Sequence, residues 1–369
     1  MSRAPRLLIS GVCLGQPAGG VRRHNAELLP RLARILEAGG GRLAVLEGRV
    51  PITFDLPDSV EIFRSRVHWL PAPMRAAGES KALKDAIESA AAAGRPFDLV
   101  HTAHQPTPRG LPLPFTLTIH DLRSLDLDRA PFVRRLIGGK VLTRATQEAA
   151  AIFVVSEWMQ SRVAAEFPWT ESKLSVIGNG VDHLPVLARS PDAAAPFLLH
   201  LGHIEPRKNL DLVVRALALD AGLPPLVLAG SPKGNTGTEL LELAASLGVQ
   251  DRIRIEEAPD DARVAELYAR ATCAVFPSRL EGHGIGPLEA LRAGCPVAVS
   301  RIPAHVETLG ETAEFFEVED PEGCARALRA VLRDLGLRDR GVPAPPRFQT
   351  WDDGAEAWAA GLSRALPAG

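Results

Sequence analysis

The stretch Ser278–Val297, SRLEGHGIGPLEALRAGCPV, decides the fold. It carries Glu281 and Glu289, with Gly282, Gly284, Gly286 and Pro287 between them. The apolar run CAVFPS leads into it and reads as a buried strand. Pro287 suits the first turn of a following helix, where its missing N–H costs nothing, and Gly294 ends that helix. Strand, glycine loop and helix make one βα step of a parallel sheet. In open α/β sheets ligands bind outside the carboxyl ends of the strands, so the loop holding Glu281 is a candidate site. Glu289 is expected in the first helical turn, within reach of the same crevice. The glycines Gly282, Gly284 and Gly286 let backbone N–H groups approach a ligand, and a helix N-terminus favours a phosphate. Carboxylates accept sugar hydroxyls, at about 1.5–3 kcal/mol per bond to a charged group. The plain alternative is that Glu289 complements the helix dipole and the glycines only form a turn.

Outward from this stretch the same step repeats. RLLISGVCL, GRLAVLEG, FDLVHT, PFTLTIHD, AIFVVSE and KLSVIGNGVD read as strands of a first series. The helical patterns NAELLPRLARILEAGG, ESKALKDAIESAAAAG and VRRLIGGKVLTRATQEAA fall between them. A second series runs from FLLHLGHI to CPVAVS. Between the two lies HLPVLARSPDAAAP, without periodicity, expected as an interdomain linker. The expected organisation is an α/β chain of two Rossmann-like domains facing across a cleft, residues 1–185 and 186–348, with a terminal amphipathic helix in 349–369. Closure about the linker is expected to accompany ligand binding.

Composition narrows the classes. The 369 residues are 46% hydrophobic and 23% charged, with a net charge of −2, as in ordinary globular proteins. The N-terminal half has a basic excess and the C-terminal half an acidic one. Either the first half attracts an anionic partner or membrane surface, or its arginines are simply solvated. One tyrosine and no basic–aromatic interleaving argue against nucleic acid. No apolar run approaches the ~18 residues of a membrane span, and MSRAPRLLISGVCLG reads as a first strand rather than a signal peptide. Cys13, Cys273, Cys295 and Cys324 are scattered, which fits a reduced, cytoplasmic protein.

Three further loops fall at strand ends. In LGHIEPRKN, Gly202 closes a strand, and Arg207 and Lys208 stand before a helix with Asn209 as its cap. A guanidinium fork beside an ammonium suits a diphosphate; a solvated basic turn is the alternative. In GQPAGGVRRHN, Gly19 and Gly20 open a helix, either as a phosphate approach or as a plain turn. In FTLTIHDL, His120 and Asp121 follow a strand directly, where the imidazole faces either a reacting centre or only a turn. His101 and His104 stand three apart without an evident third ligand, so no metal is expected.

Taken in order, these loops resemble the family 4 retaining glycosyltransferases of the GT-B fold over nearly the whole chain. EGHGIGPLEALRAGCPV is similar to the family's paired-glutamate signature and GHIEPRKN to its phosphate loop; TIHDL and VIGNGVD also resemble family segments. The resemblance implies that Glu281 contacts donor-sugar hydroxyls and that Glu289 holds the nucleotide ribose. Arg207 and Lys208 would bind the diphosphate, aided by the backbone of Gly284 and Ile285 and by the Gly19–Gly20 loop. His120 would lie near the anomeric carbon, and the base would rest against backbone near Glu257 and Ala258. It implies a metal-independent hexosyltransferase using a GDP- or UDP-linked sugar as co-substrate, with no other cofactor, and a C-terminal helix returning to the N-terminal domain. EPRKN resembles mannosyltransferases of surface-polysaccharide assembly, which points to a mannose donor and a glycan or lipid-linked acceptor. Three positions depart from the family. His283 stands where phenylalanine is common, Gly286 where proline is common, and His203 where arginine or threonine is common.

Two rival readings of the same residues are a nucleotide-sugar epimerase and a non-catalytic binding subunit. A glycosidase would use paired carboxylates but has no need of the Arg–Lys loop. Phe132–Leu142, FVRRLIGGKVL, mixes apolar and basic residues. It reads either as core packing or as peripheral contact with a membrane or lipid-diphosphate acceptor at the inner face.

Overall fold

The computed structural model describes residues 4–366 apart from 16–18, 69–71, 103, 105–106, 123–124, 126–131, 192–194 and 335–348, and gives backbone alone for 72–73, 132–137 and 334. The chain divides into two units, Met1–Gly180 with Gln349–Gly369, and Val181–Phe348.

The first unit is built on a parallel sheet of seven strands: β1 (Arg6–Gly11), β2 (Arg42–Glu47), β3 (Glu61–Arg64), β4 (Leu99–Thr102), β5 (Phe115–Ile119), β6 (Ala151–Val154) and β7 (Leu174–Val176), in the order β3-β2-β1-β4-β5-β6-β7. The second is built on six: β8 (Leu198–Leu201), β9 (Leu226–Ala229), β10 (Ile253–Glu256), β11 (Cys273–Phe276), β12 (Val297–Ser300) and β13 (Glu314–Phe316), in the order β10-β9-β8-β11-β12-β13. The central strands are continuous apolar runs buried on both faces, as helices covering both sides of a parallel sheet require. Leu7, Leu8 and Ile9 of β1 are fully buried, as are Val275 of β11 and Val299 of β12. Each order reverses direction once, between β1 and β4 and again between β8 and β11. In register, Leu198 pairs with Cys273 and Leu199 with Ala274. The loops leaving β8 and β11 therefore start side by side at the second sheet's carboxyl edge, the crevice where doubly wound sheets bind ligands.

The edge strands β3 and β13 fall outside the strands read from the sequence. They are short and partly exposed, so they carry no apolar run to signal them. The stretch read as a linker is tied to the second unit. Val181 and Leu184 pack in its core, Arg292 donates to the Leu184 carbonyl at 2.7 Å, and Arg189 donates to the carbonyls of Tyr268 and Ala269.

Helix α1 (Gly20–Ala38) packs on β2 in the first unit, and the last helix (Trp351–Arg364) packs against it. Thr350 and Asp353 form a reciprocal capping box at the start of that last helix. Trp351 and Trp358 are fully buried with Leu28 and Leu32 of α1. The Trp358 ring meets His101 at 4.7 Å and Phe153 at 6.2 Å. A Cβ at Gly361 would lie 2.3 Å from the Phe153 ring, so glycine admits that contact.

Phe132–Leu142 opens a helix, Phe132–Glu148. Its side chains at 132–137 lie outside the described residues, while Leu142 and Ala145 pack in the first unit's core. Among the described residues no helix is long and apolar enough to cross a membrane. All four cysteines are buried thiols outside any disulfide.

Replacing Trp358 with alanine removes the largest contact between the last helix and the sheet. The expected loss is about 3–5 kcal/mol, read from the urea midpoint of the first unit, with Trp358→Phe losing less.

Candidate active site

In the second unit β8 ends at Leu201 and the chain turns through Gly202 into a short 3-10 turn, Pro206–Lys208. Neighbouring β11 ends at Phe276, and its loop runs to Gly284, which starts the helix Ile285–Arg292 in a left-handed conformation (φ 97°) open to glycine. Asn209 staples the two loops. Its amide donates to the carbonyls of Pro277 (3.1 Å) and Val318 (2.8 Å). Asn209 does hold the position before the next helix, but its side chain makes no capping bond there. The expectation of an asparagine cap is corrected: the amide is spent on the neighbouring loop.

Across this junction the charged side chains converge on Glu281. Lys208 Nζ donates to Glu281 Oε1 at 2.7 Å, and the Ser278 hydroxyl donates to the same oxygen at 2.7 Å. Arg207 Nη1 donates to Glu281 Oε2 at 2.6 Å, while its Nη2 donates to Glu205 at 2.7 Å. Burial alone would raise the Glu281 carboxyl, but Lys208 and then Arg207 outweigh it and hold the group far below the ordinary carboxylate range. Two buried histidines stand behind the cluster. His200 Nδ1 lies 3.0 Å from the Val275 carbonyl, and burial pushes the imidazole down to about 4. His305 Nδ1 lies 2.9 Å from the Ser300 carbonyl, and burial lowers it as well. Both rings are therefore neutral at pH 7. A Cβ at Gly202 would lie 3.6 Å from His200 Nε2 and 3.7 Å from Lys208 Nζ, which places that glycine directly over the cluster.

Glu289 belongs to a different network. Its helix begins at Ile285, so the residue sits one turn further in than expected, and its carboxylate is buried. The Tyr268 hydroxyl donates to Oε2 at 3.1 Å, and His183 Nε2 lies 3.1 Å from Oε1. Burial and then Glu289 push the Tyr268 phenol well up, so it stays a donor. Gly282, His283 and Ile285 lie in the loop and first turn between the two glutamates. Gly286 packs on Phe276, whose ring would lie 2.7 Å from an added Cβ, which gives a steric reason for glycine at that departure from the family. Glu257 and Ala258 follow β10. Ala258 has φ 47°, and it and Asn209 are the two non-glycine residues with positive φ among those described. Such outliers gather where a site over-determines the backbone.

In the first unit Gly19 starts α1 with φ 130° and no side-chain cap, and nothing lies within 4 Å of a Cβ placed on Gly20. This helix start offers bare backbone donors. His120 follows β5 and its ring meets His24 edge-on at 4.7 Å. His101 and His104 have separate hydrogen-bond partners. The first lies between Thr116 (2.9 Å) and Thr118 (3.2 Å), and the second 3.0 Å from Glu79.

Residues 18–183 match the family model described as Glycosyltransferase Family 4, and residues 189–343 match that described as Glycosyl transferases group 1. The chain belongs to this glycosyltransferase family. A D-inositol 3-phosphate glycosyltransferase of Acidothermus cellulolyticus is 30% identical over 247 residues, covering 59% of this chain and 54% of the relative. The chain thus spans about half the length of that curated relative. Among solved structures, sucrose-phosphate synthase from Thermosynechococcus elongatus superposes with a TM-score of 0.71 at 19% identity, covering 98% of this chain and 96% of the other. Anabaena HepE in complex with UDP-glucose superposes at 0.65 with 16% identity, covering 98% and 95%. Their fold is GT-B, as is that of this family 4 chain.

Sequence reasoning singles out Glu281, Arg207 and Lys208, which the fold brings together, and misses the groups that hold them. Ser278 carried a signal, standing three residues before Glu281. Glu205 lies two before Arg207 and was also readable. His200, His305, His183 and Tyr268 meet the site only through the fold.

The Glu281 carboxyl is lower in the folded than in the unfolded chain. Its pairing therefore adds stability that is complete above the unfolded value of about 4.3 and is lost as pH falls through the folded value. In a side-chain carbon-13 titration, wild-type Glu281 should show no inflection across the ordinary carboxylate range. Lys208→Met should move its inflection upward. An unchanged curve would remove Lys208 as the main stabilising charge.

Proposed function

We propose that the protein transfers a hexose from a nucleoside diphosphate sugar to an acceptor hydroxyl, with retention of anomeric configuration and without a metal ion. The observation that carries this reading is the Arg207–Lys208–Glu281 network at the β8/β11 junction. Two cations and a carboxylate there provide for the two ends of a sugar diphosphate. Glu281 accepts sugar hydroxyls. Lys208 and Arg207 turn to the diphosphate and neutralise the charge that builds as it leaves, an interaction that strengthens towards the transition state. The cations thereby take the part a divalent metal plays elsewhere. Glu289 is assigned to the ribose, the backbone at Glu257 and Ala258 to the base, the donors at Gly19, Gly20, Gly284 and Ile285 to phosphate oxygens, and His120 to the reacting sugar. The Anabaena structure with UDP-glucose supports a nucleotide-sugar partner. The EPRKN loop supports mannose, and hence a GDP-linked donor.

The acceptor is read as a glycan or lipid-linked sugar in surface-polysaccharide or glycoconjugate assembly. Four buried thiols outside any disulfide support a reduced, cytoplasmic setting, with peripheral membrane contact resting on the basic–apolar segment 132–142.

A panel of UDP-, GDP- and ADP-linked sugars tests the donor. The true donor should raise the melting temperature by mass action, about 2.7 kcal/mol at a hundredfold excess over Kd. With that donor, Glu281→Ala and Lys208→Ala should each lower transfer about a hundredfold or more. Near-normal turnover of either variant would withdraw that residue's role. Conversion of donor without acceptor would identify an epimerase, and no calorimetric binding across the panel a non-catalytic subunit.

A further inference from the structure

His24 lies in the second turn of α1 and is 1% exposed. Its Nδ1 is 2.8 Å from the side-chain oxygen of Asn179, which belongs to the IGNG turn after β7 and is itself buried. An amide oxygen only accepts, so the ring carries its proton on Nδ1 and presents a lone pair at Nε2. That Nε2 is buried and has no hydrogen-bond partner, an arrangement that calls for an explanation in a native core. Around the ring stand Trp358 at 6.1 Å, Trp351 at 6.4 Å and, perpendicular to it, His120 at 4.7 Å, and none of the three is hydrogen-bonded to Nε2. His120 is the nearest of these rings, and an imidazole carries an N–H that this lone pair can accept.

We infer that His24 is a positioning residue for His120: its Nε2 accepts the ring N–H of His120 once the site is engaged, in a chain Asn179–His24–His120. The chain joins three segments that the proposed transfer leaves otherwise unlinked, the GGVRRHN helix start, the TIHD strand end and the IGNG turn. The inference rests on the proposed role of His120 at the sugar. Its logic is that of a nucleophile's base held by a third group. Asn179 fixes the tautomer of His24, and His24 fixes the tautomer and plane of His120. Burial keeps His24 neutral, with a pKa of about 4, so it offers a lone pair without a charge that would oppose protonation of His120. Of the other titratable groups packed here, His101 is neutral by burial and held by Thr116 and Thr118, and Asp121 is next to His120 in the chain.

The test is the nitrogen-15 titration and tautomer of His120 by NMR in the full chain, in wild type, His24→Phe, His24→Gln and Asn179→Ala. His24→Phe keeps the packing and removes the acceptor. It should lower the His120 pKa, change its tautomer ratio, and reduce kcat about tenfold or more with donor KM little changed. His24→Gln, which restores an acceptor oxygen, should recover part of both. Asn179→Ala should shift His120 in the same direction as His24→Phe, by less. A His120 titration in His24→Phe that overlays the wild type overturns the inference, as does equal loss in His24→Phe and His24→Gln. The titration needs no substrate. If wild type transfers no sugar, the functional reading falls while the His24–His120 coupling is still decided.

Discussion

The second unit is organised around one largely buried carboxylate held between two cations. Taking a charge out of water costs several kcal/mol unless it is paired and hydrogen-bonded. Glu281 meets that condition with Lys208, Arg207 and Ser278 together. The cations come from the loop after β8 and the carboxylate from the loop after β11. They meet because those two strands are neighbours at the point where the strand order reverses. The Asn209 amide then locks the loops at that spacing by bonding two carbonyls beyond β11 and β13. Sheet topology, staple and ion cluster are thus one construction.

The same cluster explains how two adjacent cations are kept in a folded protein without a bound anion. Arg207 is shared between Glu205 and Glu281, and Lys208 is satisfied by Glu281. In the proposed transfer a diphosphate enters by exchange. It takes the cations from a carboxylate, and the carboxylate in turn takes donors from the ligand's hydroxyls. Exchange makes the gain on ground-state binding modest, because pairs are traded rather than created. It leaves the larger gain for the moment when charge builds on the leaving group, which is where catalysis requires it.

The parts of this site legible in the sequence are those whose signal is local. CAVFPS followed by glycines and Pro287 specifies a strand, a loop and a helix start from adjacent residues. GHIEPRKN does the same for the cations, and placing both at a sheet's carboxyl edge needs only the βα rhythm. What stayed hidden depends on contacts between distant segments. Glu289 was readable as a helix-start acid, yet its burial against Tyr268 and His183 follows from how the helix beyond β10 and the turn after Gly180 pack. The edge strands Glu61–Arg64 and Glu314–Phe316 are too short to write a period. Asn209 carried the composition of a helix cap, and tertiary bonds to two carbonyls overrode that local preference.

Three histidines share a design that no local pattern announces. His24, His200 and His305 are each fully or almost fully buried, and each sets Nδ1 against an oxygen: the Asn179 side chain, the Val275 carbonyl and the Ser300 carbonyl. Each leaves Nε2 buried and without a hydrogen-bond partner among the described residues. Burial lowers the pKa of all three, so none carries charge at neutral pH. A carboxylate in such a place would cancel the cations that a diphosphate needs, and a charged imidazole would compete with the ligand's own partners. A neutral imidazole with its tautomer pinned avoids both: it supplies one directed lone pair and no net field. That is a physical reason to find histidine, rather than an acid or a lysine, behind the Lys208–Arg207–Glu281 cluster and, in the first unit, beside His120.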